Sequence, residues 1–485
     1  MTLCRPHRAL ALLTGPLLVA IGMDAAPAHA DPEPPLPYIS WAAGVPAGGP
    51  ASAPTSGAVD LHLTASTTLR IDETTLDPGV PPVAGDAFGA SVLQARFTRY
   101  PSADWLIGAP GRGGTGAVYV QVASGGGAPT STVGILRGRQ VGDRFGAALA
   151  SHSLDMYIGA PGRTVDGQAG AGAVDHYLMD DAGIPHYVES ITQDTPGVAG
   201  TPEAGDGFGS VLATNMYGVA IGVPGEDVGS RKDAGMLTFL PNLDHLPAVS
   251  WTQDSPGVAG TAEAGDRFGA SVASDPSGAR MIVGVPGEDV GALKDAGMVE
   301  LFNRPGQTPA PWEGLTQDSS GIPGVAEAGD RFGSSVAIGE AMTCYGYVDA
   351  AIGSPGEDVG RVVDAGAVTT FPLYAILDDD MSPPAAPKPC AARELTQGSG
   401  GLGGIVETGD QVGAVLQTHW YESFREALLI GDPGENVGSV VDAGAVIESL
   451  QASYDGGPGF VQTLTDSGGA KTGVHYGVVI SSPTG

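Results

Sequence analysis

One short unit, Gly-Asp-x-Phe-Gly, recurs at Asp86, Asp143, Asp206, Asp266 and Asp330, with a weaker form, Gly-Asp-Gln-Val-Gly, at Asp410. Successive aspartates are 57, 63, 60, 64 and 80 residues apart. Each unit is followed by Gly-x-Pro, at Gly108, Gly159, Gly222, Gly284, Gly353 and Gly431. A third mark, Gly-Ala-Val or Gly-Met followed by Leu or Val, comes next at Gly116, Gly172, Gly235, Gly297, Gly366 and Gly444. The step from Gly-x-Pro to this third glycine is 13 residues in five copies and 8 in the first. A repeat of this kind limits the fold more than any single element does, because each unit must bury its apolar face against its neighbours.

Within a repeat the pattern is that of strands. "FGASVA", "RMIVGVP" and "GMVELF" are short runs rich in Val, Ile and aromatics, each bounded by Gly, Pro or Asp,. No stretch carries a sustained 3.6-residue apolar period. Four short strands per unit of about 60 residues fit a radial array of small sheets. Glycine fills 77 of 485 positions without a three-residue period, so it serves turns and close backbone approaches rather than a collagen-like helix,.

Phe-Gly, then Gly-x-Pro, then Gly, in six ordered copies, resembles the cage pattern of FG-GAP repeats, the units of the integrin alpha-chain propeller. The resemblance spans nearly all of the chain after residue 30. It implies an all-β propeller in which Phe88, Phe145, Phe208, Phe268 and Phe332 wedge between blades,. The blade count follows from the two ends. "TGVHYGVVIS" carries Tyr476-Gly477 in place of Phe-Gly, and the chain stops before a Gly-x-Pro follows. The missing half stands near the N-terminus, where Gly44-Val45-Pro46 precedes Gly57 by the same 13 residues. Six complete units, starting near residues 85, 142, 205, 265, 329 and 409, plus one divided between about 38–75 and 473–485, predict a seven-bladed β-propeller closed by its own termini. Such closure removes exposed sheet edges.

The first 30 residues read as a secretory signal: Arg5 and Arg8, the apolar "ALALLTGPLLVAIGM", then "AHA" ending at Ala30,. The expectation is cleavage after Ala30 and a single exported domain over 31–485. The apolar run is too short for a spanning helix, so no transmembrane anchor is expected. Loss of two arginines and one aspartate with the signal moves the net charge from −32 to −33. That argues against nucleic acid, which is gripped by clustered Lys and Arg. Cys344 and Cys390 are the cysteines left after cleavage, and an oxidising compartment favours joining them as a structural disulfide.

The acids pose the main question. In calcium-binding FG-GAP repeats the loop resembles Asp-x-Asp-x-Asp-Gly and lies between Phe-Gly and Gly-x-Pro. Here those segments, such as "SDPSGARM" and "TNMYG", hold one acid or none, and "YGYVDAAIG" keeps Asp349. Carboxylates gather instead after Gly-x-Pro: Glu226, Asp227 and Asp233; Glu288, Asp289 and Asp295; Glu357, Asp358 and Asp364; Glu435, Asn436 and Asp442. Two readings stand. The acids converge on a cation, calcium by their oxygen chemistry, or each aspartate accepts backbone N–H bonds and shapes a Gly-rich turn, with Lys232 and Lys294 at hand to pair with them,. The Asp of Gly-Asp-x-Phe-Gly is expected to be a turn residue.

No Gly-x-Ser-x-Gly, His-Glu-x-x-His or phosphate-loop pattern occurs, and His152, His176 and His475 lack ligand spacing,. The expectation is a monomeric, non-catalytic binding or adhesion scaffold that presents propeller loops to an extracellular protein or glycan. The alternatives are a hydrolase or lyase acting on an extracellular polymer with a site assembled from distant loops, and a purely structural envelope protein.

Overall fold

The computed structural model describes residues 41–481 except 51, 65–66, 98–103, 123–130, 181, 243–246, 305–307, 341, 343–347, 374–390, 399–400, 423–424 and 451–459. The expected signal segment, Cys344 and Cys390 lie outside the described residues. Within them, 28 strands form seven four-stranded antiparallel sheets. Six blades are continuous in sequence, over 91–137, 149–191, 211–251, 271–315, 335–395 and 416–464; they are numbered one to six. The seventh is composite. Val479–Ser481 pairs antiparallel with Trp41–Val45, which pairs with Ala58–Thr64, which pairs with Thr67–Ile71.

The first strand of each blade touches the first strand of the next: Ser91–Ala95, Leu149–His152, Val211–Asn215, Ser271–Ser274, Ser335–Glu340, Leu416–Glu422, then Val479–Ser481, which returns to Ser91–Ala95. The ring is therefore closed, and the chain is a seven-bladed β-propeller with its termini sharing one blade. A cavity of about 280 Å³ on the axis is lined by all seven of these strands.

Each blade is locked to the next by the repeat's own glycines. The third glycine of one blade forms a parallel bridge with the Phe-Gly aromatic of the following blade: Gly57 with Phe88, Gly116 with Phe145, Gly172 with Phe208, Gly235 with Phe268 and Gly297 with Phe332. The weak copy keeps the bridge with Val412, and the degraded one with Tyr476. The five phenylalanines and Tyr476 are fully buried. Phe145, for example, packs with Leu106 and Val118 of the first blade and Met156 and Ile158 of the second. A Cβ on Gly44 or Gly222, the glycines of Gly-x-Pro, would overlap the backbone carbonyl oxygen of Gly89 or Gly269 in the next blade. Glycine is required there because two backbones meet.

Antiparallel alternation puts the connections between second and third strands, and those between one blade and the next, on a single face. All the acidic loops after Gly-x-Pro-Gly are on it. In blades two to six the loop closes with a small antiparallel bridge, as in Val228 with Arg231 and Val437 with Val440. The shorter first copy substitutes a 3-10 turn, Arg112–Gly114.

Candidate functional site

The acids after Gly-x-Pro divide into three roles. Asp227, Asp289 and Asp358 each accept a bond from the backbone N–H six residues on, at Asp233, Asp295 and Asp364, with donor–acceptor distances of 2.9, 2.9 and 3.0 Å. Asn436 does the same for Asp442 at 3.0 Å. Asp233, Asp295, Asp364 and Asp442 have φ between 49 and 52°, the left-handed region that Asp tolerates better than most residues,. Lys232 and Lys294 stand 3.8 and 4.0 Å from Asp227 and Asp289, at exposed positions where such pairs contribute little,. These residues build turns.

The glutamates turn inward. Glu226, Glu288, Glu357 and Glu435 each accept a hydrogen bond from a buried glutamine side chain, Gln193, Gln253, Gln317 and Gln397, at 2.5, 2.5, 2.6 and 2.8 Å. Beside each lies the buried aspartate of Gly-Asp-x-Phe-Gly, whose Oδ2 accepts the backbone N–H three residues earlier. Burial, aided by the neighbouring aspartate charge, pushes the carboxyls of Glu226, Glu288 and Glu357 up to about 7. Burial likewise raises Asp206, Asp266 and Asp330 to about 6. Blades three to six thus each hold two facing carboxyl groups with no guanidinium or ammonium joined to them among the described residues.

The first, second and seventh blades answer the same problem with arginine. The residue after Pro-Gly is Arg112 in the first and Arg163 in the second, where blades three to six have Glu. Arg112 binds Asp86 at 2.6 Å and Glu73 at 3.3 Å. Arg163 binds Asp143 at 2.9 Å, and Asp175 at 2.6 Å. In the seventh, Arg70 reaches Asp60 at 3.2 Å and also Asp466. Arginine does not cancel the effect of burial everywhere, since burial still pushes Glu73 up to about 7.

The sixth blade adds a third acid. The middle residue of its Gly-x-Pro is Asp432, where the other complete copies have Ala, Val or Ser. Asp410, Asp432 and Glu435 place ligand oxygens within 4.8 Å of one another, the one such group of three among the described residues. Burial, reinforced by Glu435 and Asp410, pushes Asp432 up to about 9. The structure therefore brings Glu435 together with two residues that sequence reading had not placed among candidate ligands, while Asp227, Asp233 and their counterparts stay in their turns.

The glutamines were missed as well, although a signal existed. Gln193, Gln253, Gln317 and Gln397 each stand 13 residues before the Gly-Asp aspartate, and Glu73 stands 13 before Asp86. Two buried histidines were also passed over. His62 stacks on Trp41 at 3.8 Å and bonds the Tyr476 hydroxyl at 2.8 Å, and burial pushes it down to about 4. His419 bonds Glu448 at 2.7 Å. Of the histidines singled out from sequence, His176 lies in the strand Ala173–Met179 and bonds Asp155 at 2.7 Å.

No protein-family model matches this sequence, and no curated protein does. Among solved structures, a candidate 6-phosphogluconolactonase from Bacteroides uniformis is similar at 10% identity over 75% of this chain and 79% of that chain, with a TM-score of 0.38. So distant a likeness carries no argument; the propeller assignment rests on the strand topology and the closed ring. No helix among the described residues is long and apolar enough to cross a membrane.

Proposed function

We propose that this chain is an exported, monomeric, non-catalytic binding scaffold of the FG-GAP kind, offering its loop-bearing face to an extracellular protein or glycan. The observation that carries this reading is the placement of exposed apolar side chains. Among the described residues the five most exposed large ones are Val141 at 86%, Ile405 at 75%, Val325 at 66%, Val83 at 59% and Val441 at 53%. All five sit on connections of the face that holds the acidic loops. One exposed valine is ordinary, but a face that gathers them offers apolar contacts for a partner. The ring beneath is rigidly interlocked, so loops on it are pre-positioned, which lowers the ordering cost of binding.

The FG-GAP reading is supported by the glycine-to-Phe bridges between blades, where glycine is demanded by backbone contact and not by chance composition. The hydrolase or lyase reading would be favoured by acid and base groups at the axis. The cavity there is walled mainly by Val, Ala, Leu and Ile, with Thr214, Ser274, Gln417 and Thr418 as its polar groups.

The test is a screen of the purified exported chain against extracellular proteins and glycans, repeated with Val141→Ser, Val325→Ser and Ile405→Ser combined. The expected result is a captured partner whose binding is lost in the triple variant with Tm unchanged. Binding that survives the triple variant, or a turnover of polymer that tracks the protein, overturns the proposal.

A further inference from the structure

We propose that the sixth blade holds one divalent cation, calcium by the chemistry of its donors, between Asp410, Asp432 and Glu435, with the Gln397 side-chain oxygen as a neutral ligand. The inference is independent of what the loop face binds. It also places the ion after Gly-x-Pro, away from the hairpin between first and second strands where the FG-GAP resemblance puts one.

Geometry comes first. Oxygens that share one calcium at 2.3–2.6 Å are separated by no more than about 5 Å, and the three carboxylates meet that condition with oxygens within 4.8 Å of one another. Asp410 and Asp432 are wholly inaccessible to solvent. Among the described residues, no lysine or arginine forms an ion pair with any of the three.

Unpartnered atoms in the same spot are the second observation. Gln397 is 3% exposed, its Nε2 lies 2.7 Å from Asp432 Oδ2 and 2.8 Å from Glu435 Oε2, and its Oε1 has no hydrogen-bond partner. Asp410 Oδ1 and Asp432 Oδ1 are likewise buried without a partner. Two orphaned carboxylate oxygens, on Asp410 and Asp432, are costly in a folded protein,. A hard cation satisfies both, and a half-turn of the Gln397 amide adds Oε1 to it where Nε2 now stands. The remaining contacts hold the carboxylates in place: Glu407 N–H donates to Asp410 Oδ2 at 2.6 Å, and Asn436 Nδ2 to Glu407 at 2.8 Å.

The third observation is internal to the protein. At the position of Glu435 the first and second blades carry Arg112 and Arg163, and each guanidinium binds the Gly-Asp aspartate that corresponds to Asp410. The same spot in the ring is therefore filled by positive charge when the chain itself supplies it. In the sixth blade the chain supplies a third carboxylate instead. All donors are oxygen, which suits calcium over zinc or copper.

The experiment uses the full exported chain, stripped of metal with a chelator and titrated with calcium chloride at pH 7.5 by calorimetry, with magnesium and zinc chlorides as separate arms. The expected result is saturation with one calcium per chain below about 1 mM, the upper range for extracellular calcium modules, and a Tm that rises with calcium. Two variants separate ligation from structure. Asp432→Val installs the residue that three sister blades carry, at Val45, Val223 and Val285, and Glu435→Arg installs the arginine of the first and second blades. Both are expected to lose calcium binding by at least about tenfold, to keep a metal-free Tm no lower than the parent, and to abolish the calcium-dependent rise in Tm. Absence of calcium heat and of any Tm change in the parent overturns the proposal. So does calcium stabilisation that persists in both variants, or saturation by magnesium or zinc with calcium silent.

Discussion

Blades one and four solve one burial problem in opposite ways. Both place an aspartate, Asp86 or Asp266, at the start of the repeat and a second polar group 13 residues before it, Glu73 or Gln253. In the first blade Arg112 binds both acids. In the fourth, Glu288 takes the arginine's place, and burial pushes it up to about 7 and Asp266 to about 6. The difference teaches that the propeller frame, set by glycines and aromatic wedges, tolerates either sign of charge in this pocket. The frame is therefore set by backbone contacts and wedges, and the charge of the pocket varies from blade to blade without disturbing it.

The seventh blade is closed by arginine like the first, but it is assembled from both ends of the chain, so its loss should have the largest effect. Truncation after Thr472 removes Val479–Ser481 and Tyr476, exposes the edge of Trp41–Val45 and opens the ring,. Tyr476→Ala alone should cost roughly 3–5 kcal/mol, the usual range for deleting a large buried side chain, read as a lower denaturation midpoint. A truncated chain that melts with the parent would mean that the terminal half-repeats are dispensable.

Next is the second blade. Arg163→Met leaves the buried Asp143 with no charged partner and Asp175 with only the half-exposed Arg139, 3.6 Å away, and removing one partner of such a buried group costs about 3–5 kcal/mol. Adding Asp143→Asn and Asp175→Asn should recover most of it. If the single variant is silent in chemical denaturation, the arginine-closed blades do not depend on arginine and the comparison fails.

The reverse exchange should be smaller and stabilising. Glu288→Arg puts a guanidinium beside Asp266, and a charge-assisted hydrogen bond contributes about 1.5–3 kcal/mol. The pH dependence supplies its control. Glu226, Glu288, Glu357 and their aspartates have folded values raised above the ordinary 4–4.5, so between about pH 4 and 7 the folded state binds more protons than the unfolded. Stability contributed by these groups is present at low pH and falls as pH rises toward 7. Tm should therefore decline from pH 5 to 7.5. The slope should flatten in Glu226→Gln, Glu288→Gln and Glu357→Gln combined, and the gain from Glu288→Arg should shrink toward pH 5. A Tm that rises across this range would contradict the assigned burial of these carboxyls.

Smallest of all should be Asp227→Ala, which removes one exposed turn bond to Asp233 N–H. About 0.5–1.5 kcal/mol is expected. A much larger loss, seen with calcium present and absent under chelator, would return Asp227 to the ligands.

The amino-acid sequence by itself determined the ring. Repeated glycines, phenylalanines and the split seventh unit state where backbones touch and where wedges insert, and the glycines are legible because no side chain fits where two backbones meet, while the wedge position also accepts Val412 and Tyr476,. Gly57 opposite Phe88 and Gly444 opposite Tyr476 are the same contact written twice. The fate of the acids was decided only by tertiary structure. Glu226 and Asp227 are adjacent in sequence, yet one turns into the blade toward Gln193 and Asp206 while the other caps its own turn. Neighbouring residues on a tight turn point in different directions, and the partners that set their charge arrive from 13 to 40 residues away through strand pairing. No local pattern encodes that meeting. The carboxylates of the sixth blade meet because the register of the whole ring brings Asp410, Asp432 and Glu435 to one buried point.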